Sequence, residues 1–284
     1  MFHRNFMEYH ADRFLDHSLL FYNDSELMAL LPANEKEHIL YSHQGLTFGG
    51  FITNQDMKQH HMQDCFSALQ EYLKQQKFTA CIYKTLPYIY HTLPAQEDVY
   101  ALWKNKFQLN KCDVSTTIDF SCPIRPAKSR RAQANRAKRE GVVLCESTDF
   151  NAFIQLENTV LQQYHQTKAV HTADELVLLK SRFPHNIRLF LAHQRGELLA
   201  GTLVFEYPHL VHTQYMASSE EGRRIGALDL VIISLLEKYS TTKKYFDFGI
   251  STEQNGTIFN EGLCAQKEGF GGRTVCYQTW EKIL

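Results

Sequence analysis

Two stretches about 150 residues apart carry the same short pattern, and this repeat constrains the fold more than any other feature of the chain. Ile39–Ile52 reads ILYSHQ and then GLTFGGFI; Leu189–Val204 reads LFLAHQ and then RGELLAGTLV. Each predicts a strand, a turn after His-Gln (His43-Gln44 and His193-Gln194), and a second strand with glycine near its start. Each is followed by a segment of helical period and a further strand: Met62–Gln76 with Thr79–Tyr83, and Arg224–Tyr239 with Lys244–Phe248. A strand returning through a helix to a parallel neighbour makes a right-handed crossover. The expected fold class is therefore α/β, with two tandem halves that are each a mixed, mostly antiparallel sheet flanked by helices. The alternative is two unrelated hairpins that share His-Gln and glycine.

A chain of 284 residues exceeds what one core usually organises, which predicts two domains, residues 1–127 and 142–284. Residues 128–141 between them read as a basic connecting helix, preceded by Pro123 and Pro126 and stopped by Gly141. Its apolar members are only alanines, so it is not expected to be a core helix. Its cations form either a solvated face or a phosphate-binding rim, with Arg130 and Arg131 as candidate substrate contacts. Further on, Asp149–Gln163 has apolar residues near a 3.6 period, and Thr172 with Glu175 forms a capping box at the start of another helix. The helix Arg224–Tyr239 puts Ile225, Leu228, Ile232, Leu235 and Leu236 on one face, as packing against a sheet requires.

Thirty basic residues against 31 acidic ones leave a formal charge of −1, so no global field draws in nucleic acid or an anionic membrane. Seven cysteines are scattered without any Cys-x-x-Cys pair, which argues against a zinc site or a disulfide framework. They read as reduced, mostly buried thiols, and the location expected from them is cytoplasmic. Met1–Asp16 lacks the apolar run of a signal peptide, and Leu228–Leu236 is far shorter than the roughly 20 residues of a membrane span. Neither a Gly-x-Ser-x-Gly elbow nor a P-loop occurs, which disfavours serine hydrolase and NTPase chemistry.

The chemistry concentrates in Tyr245–Gly272, a strand that feeds a polar, amide- and glycine-rich loop ending in Lys267, Gly269, Phe270, Gly271 and Gly272. Asp247-Phe248-Gly249, followed by Lys267 with Phe270 and Gly271, resembles the Fem-type, BioF2-like branch of the GNAT acyltransferase superfamily. There a strand with an Asp-Phe-Gly-like end precedes a Lys-x-x-Phe-Gly element, and the order of elements agrees over roughly residues 38–280. The resemblance implies tandem GNAT-like domains and an acyltransferase of the N-acetyltransferase type. It would move an acetyl or similar group from acetyl-CoA to an amine, such as an amino sugar or a cell-envelope precursor. No metal is implied, and the partner is a small-molecule or nucleotide- or lipid-linked acceptor. Two alternatives stand beside it: an aminoacyl-tRNA-dependent aminoacyltransferase, for which no long helical arm is present, and a non-catalytic binding module. Nucleic acid enters only through the tRNA reading.

In the same terms Lys267 is expected at the transfer centre, stabilising the oxyanion. Superfamily members hold the CoA diphosphate on an Arg/Gln-x-x-Gly-x-Gly/Ala turn at a helix start. Arg223, Arg224, Gly226 and Ala227 are placed there, although Leu228 stands where the final Gly or Ala is expected. His165 and His171 flank a polar linker, and His171 is the candidate base because imidazole titrates near neutrality. A metal pair of His171 with Glu175 is disfavoured by the capping role of Glu175. Tyr215 and Asn260 complete the candidate substrate contacts, Tyr215 facing either core or cleft and Asn260 serving either substrate or turn. No tyrosine between Gly262 and Gly272 offers itself as the acid for a leaving thiolate.

Overall fold

The computed structural model describes residues 1–284, apart from the side chain of His165. The chain forms two compact units, one of Met1–Val114, Thr252–Ile258 and Cys276–Leu284, the other of Ser115–Ser251 and Phe259–Val275. Both units collect separated stretches of chain, so their borders differ from the contiguous 1–127 and 142–284 expected from sequence. The basic segment 128–141 lies within the second unit.

The first unit contains α1 (Arg4–Met7), β1 (Leu15–Asp16), β2 (Leu19–Asn23), β3 (Glu26–Leu31), β4 (Asn34–Lys36), β5 (Ile39–Tyr41), β6 (Ile52–Thr53), α2 (Gln59–Gln75), β7 (Ala80–Lys84) and α3 (Glu97–Lys104), and ends inside β8 (Gln108–Asp119). The amphipathic stripe of α2 buries Met62, Cys65, Phe66, Leu69 and Leu73. β5 and β7 pair in parallel from Ile39 opposite Ala80, so the expected strand, helix and parallel strand is formed here. The expected hairpin is not: β5 lies between β4 and β7, whereas β6 pairs with β3 in a separate three-stranded sheet. Residues 42–51 are instead an irregular loop. Lys84 Nζ donates to the carbonyls of His43, Gln44 and Leu46 at 3.1, 3.3 and 2.5 Å, satisfying backbone groups that a hairpin would have paired. A side chain at Gly49 would stand 2.0 Å from the Ser42 carbonyl, so the loop folds on itself only with glycine there.

The second unit contains α4 (Lys128–Arg139), β9 (Val143–Ser147), α5 (Phe150–His165), α6 (Ala173–Arg182), β10 (Ile187–Gln194), β11 (Glu197–Glu206), β12 (Leu210–Ser218), α7 (Glu220–Ile225), α8 (Ala227–Tyr239) and β13 (Tyr245–Ile250). The chain returns to the first unit for Thr252–Ile258, with the short strand β14 (Thr252–Glu253) and the start of β15 (Ile258–Phe259); the second unit resumes with α9 (Glu261–Glu268) and the start of the C-terminal strand β16 (Arg273–Ile283), which passes into the first unit after Val275. Its sheet runs from the end of β8 through β13, β12, β11 and β10 to β9. Here the hairpin does form. β10 and β11 pair from Ile187 opposite Phe205 and close on Arg195 and Gly196, both at positive φ, the turn whose twist suits adjacent antiparallel strands.

One face of this sheet carries Phe190, Ala200, Val204, Val211, Phe246 and Phe248 in a single apolar cluster with α8. The other face meets α5, so closely at Gly201 that a Cβ there would lie 2.7 Å from Phe153 and Leu191. Helix α4 departs from expectation. Ala134 and Ala137 are 2% and 0% exposed and pack in the α8 cluster, because small side chains let two helices approach where larger ones would hold them apart. The seven thiols are less uniformly buried than expected: Cys122, Cys145 and Cys276 are exposed. No helix is long and apolar enough to cross a membrane, and no group of side chains among the described residues could hold a metal ion.

Candidate functional site

β12 and β13 are the parallel pair of the second unit, and they stay together for only three residues. Leu210 faces Tyr245, Val211 faces Phe246, and the last pair is His212 with Asp247. Beyond it β13 bends at Gly249, whose φ is +74°, and its pairing with β8 shifts between Asp247 and Ile250. β12 meanwhile carries an extra residue between Thr213 and Tyr215 opposite Leu203 and Val204. A bulge of this kind turns a strand and re-aims its side chains. The two strands therefore part, and polar groups gather where they do so.

Asp247 is fully buried and is satisfied by three hydrogen bonds: Ser115 Oγ and Thr117 Oγ1 donate to Oδ1 at 2.7 and 2.8 Å, and His212 Nδ1 lies 2.7 Å from Oδ2. With hydroxyls already donating to the carboxylate, the imidazole bond is best satisfied by an Nδ1–H donor, which leaves the Nε2 lone pair as proton acceptor. Nε2 has no partner among the described residues, and it sits 3.9 Å from where a Cβ on Gly249 would be. Glycine keeps that edge of the ring clear.

Lys267 lies beside this dyad. It is not at the end of a glycine-rich loop, as expected, but in the last turn of α9, and it is 3% exposed. Nζ donates to the carbonyls of Gly249 and Ile250 at 2.9 and 2.6 Å, holding the parted end of β13. Burial lowers its pKa to about 8, opposed by the nearby charge of Asp247. Two of its three N–H groups are used. Asn260, placed by sequence among substrate contacts, caps α9 by accepting from the Leu263 N–H at 2.9 Å.

Three residues along β12 from His212, about 10 Å at the usual strand rise, His171 and Tyr215 meet. His171 Nδ1 is 2.7 Å from the Tyr215 hydroxyl, which also accepts the His171 backbone N–H at 3.2 Å. Burial raises the Tyr215 pKa to about 12, and the charge of Glu157 adds to the rise. Glu157 is itself buried, with Oε2 unpartnered among the described residues, and burial alone lifts its pKa to about 7. The structure thus puts Lys267 at the bend of β13 and brings His171 and Tyr215 into contact, whereas sequence reasoning singled out neither His212 nor Glu157. The signal for His212 was weak: one histidine in an otherwise apolar strand, with its partner Asp247 35 residues away.

The expected phosphate turn has a different geometry. Gly226 is buried at φ +84°, and a Cβ there would lie 2.6 Å from the carbonyl of Gln133 on α4, so this glycine serves a helix–helix contact. Ala227 is buried as well, and the first turn of α8 already holds the carboxylate of Asp229, which Arg130 meets at 3.2 Å. An acidic side chain there answers the helix dipole itself and would repel a diphosphate. Arg223 lies over the Tyr164 ring and donates to its hydroxyl at 2.8 Å, and Arg224 pairs with Glu221 on the same short helix. The residues at the start of α8 do not fit a bound diphosphate. Arg130, expected to grip phosphate, is spent on Asp229 and on the Phe270 ring, 5.3 Å from its guanidinium.

Residues 127–255 match the family model described as an acetyltransferase (GNAT) domain. Among solved structures, FemX superposes with a TM-score of 0.70 at 12% identity, covering 99% of this chain and 91% of its own. L-PGS from Bacillus licheniformis gives 0.66 at 15% identity, covering 98% and 91%. A tandem GNAT protein from the clavulanic acid biosynthesis pathway gives 0.54 at 11%, covering 94% and 82%. By sequence, none of the curated proteins matches. At these identities the solved structures speak for the fold alone, which the chain shares with FemX over nearly its whole length, and the acetyltransferase (GNAT) domain match is confined to residues 127–255.

Proposed function

We propose that the protein transfers an acyl group from an activated carboxyl donor to an amine, at the point where β12 and β13 part. The observation that carries this reading is the Asp247–His212 dyad, whose free Nε2 edge lies beside the buried ammonium of Lys267 within the acyltransferase-matched fold. In the proposed step His212 Nε2 takes a proton from the acceptor ammonium, and the amine nitrogen bonds to the donor carbonyl carbon. The remaining N–H of Lys267 stabilises the oxyanion, which collapses to the amide as the bond to sulfur or oxygen breaks. The second proton shed by the nitrogen passes to the leaving group. We assign the base to His212 rather than His171, because the Asp247 carboxylate fixes its ring orientation and tautomer. His171 and Tyr215 then contact the acceptor.

Acetyl-CoA is the first donor to test. The occupied start of α8 favours a second reading, in which the donor is an aminoacyl ester on tRNA and needs no diphosphate cradle there. The discriminating experiment incubates the purified full chain with acetyl-CoA and a panel of amines, following thiol release, and in parallel with charged tRNA, following loss of the ester. Amine-dependent thiol release supports the first reading. Transfer from tRNA alone moves the assignment to the second, and transfer from neither overturns both.

A further inference from the structure

The second unit has a cavity of ≈ 440 Å³ on the face of the sheet opposite the dyad. Its floor is apolar, made by Ile118 and Phe120 at the end of β8, Ile233 and Leu236 of α8, and Phe270. Along β8 the two faces are separated by alternation: Thr117 bonds Asp247, whereas Ile118 joins the apolar cluster. Three cations stand around the cavity, Arg125, Arg131 and Lys138, against one carboxylate, Glu237. Arg125 and Lys138 are exposed and have no carboxylate partner among the described residues. Arg131 uses Nε to hold the Pro126 carbonyl at 3.1 Å, which leaves its terminal nitrogens for another acceptor.

The wall is preformed. Pro123 and Pro126 restrict the loop, Ala127 N–H is bonded to the Gly269 carbonyl at 2.8 Å, and a Cβ on Gly271 would stand 2.2 Å from the Ile124 carbonyl. A rigid wall costs little ordering entropy when a ligand enters. The volume is that of a small-molecule site, where a mostly apolar lining gives affinity and a few polar groups fix orientation.

We propose that this cavity binds an amphipathic anion, with a hydrocarbon or aromatic body on the Ile118–Leu236–Phe270 floor and a phosphate head between Arg125, Arg131 and Lys138. The site is separate from the transfer centre, and its existence does not depend on the proposed function. Charge complementarity selects the head, since three cations facing one carboxylate favour an anion and arginine matches phosphate through paired N–H bonds. The apolar floor selects the body.

The test is calorimetry with decyl phosphate below its micelle concentration, on the full chain. One saturable site is expected, at least about tenfold tighter than decanol and without detectable binding of inorganic phosphate, a tenfold ratio being about 1.4 kcal/mol. R125E/K138E changes two exposed, unpaired cations, so the protein stays folded while decyl phosphate affinity falls at least about tenfold; Asn135→Trp, on the exposed rim, should block the cavity. Vesicles containing phosphatidic acid identify the source: retention lost in R125E/K138E makes the ligand a membrane lipid, and binding of decyl phosphate without retention makes it a free amphiphile. No saturable decyl phosphate site, equal affinity for decanol, or unchanged affinity in R125E/K138E would each overturn the proposal.

Discussion

Each unit contains a lysine that holds irregular backbone, half-buried Lys84 in one and buried Lys267 in the other, and the two do different work. Lys84 donates to the carbonyls of residues 43, 44 and 46, using all three of its N–H groups to fasten the loop that replaces the expected hairpin. Lys267 donates to only two carbonyls, at the bend of β13. Burial lowers both to about 8. Their surroundings differ: the charges acting on Lys84 are Lys111 and Asp113, whereas Lys267 lies beside a carboxylate–imidazole dyad with an open ring edge. A depressed lysine pKa therefore does not by itself mark a catalytic group. The donor left over, and the proton acceptor next to it, make the distinction.

The largest effect expected concerns that acceptor. His212→Gln should lower turnover by about 10²–10⁴-fold, the usual contribution of a positioned base, with donor binding retained. Turnover within threefold of wild type would remove the feature that separates the two lysines. Next comes Lys84→Met, which removes the lysine donor from three backbone carbonyls, of which that of His43 keeps the Leu46 N–H at 3.3 Å. Unfilled acceptors cost about 1–3 kcal/mol each, partly offset because an ammonium is no longer desolvated, so a net loss of about 3 kcal/mol is expected in urea unfolding. Turnover of the folded fraction should be unchanged, and a stable but inactive Lys84→Met protein would break the comparison from the other side.

Lys267→Met should behave in the opposite way, losing about 100-fold in turnover, equivalent to roughly 2.7 kcal/mol of transition-state stabilisation, with a smaller loss of stability than Lys84→Met. Unaltered turnover would make Lys267 a second strut. The smallest effect is in the pH dependence. Lys267 titrates near 8 when folded, against 10.5 as its ordinary value, so between these pH values the unfolded chain binds more protons and stability rises with pH. Below about 8 the full penalty of burying the ammonium is present. The difference in unfolding free energy between wild type and Lys267→Met should accordingly change by at most about 1.4 kcal/mol per pH unit across that window and flatten outside it. Wild-type turnover should fall as pH rises through 8, because the neutral amine stabilises an oxyanion less well.

Much of the fold was legible because it rests on neighbours in sequence. The β10–β11 hairpin follows from Arg195-Gly196 between two apolar runs, α6 from the reciprocal hydrogen bonds of Thr172 and Glu175, and α8 from its apolar stripe. The same reasoning failed at residues 39–52. That stretch has the letters of a hairpin, but Lys84, some 40 residues on, supplies its carbonyls with donors and β6 finds a partner in β3.

The sequence by itself determined that the chain is mixed α/β with two strand–helix–strand crossovers, and that Asp247 and Lys267 belong to the region of interest, since periodicity, turn chemistry and a short motif are all local properties. Only the tertiary structure decided which side chains meet. The register of β12 against β13 sets His212 on Asp247, the close approach of α4 to α8 turns Gly226 from a phosphate turn into a contact, and the docking of α9 buries Lys267. Hydrogen bonds and desolvation act through space, between residues 17 to 132 positions apart in these cases, and no pattern of neighbouring residues encodes such a distance.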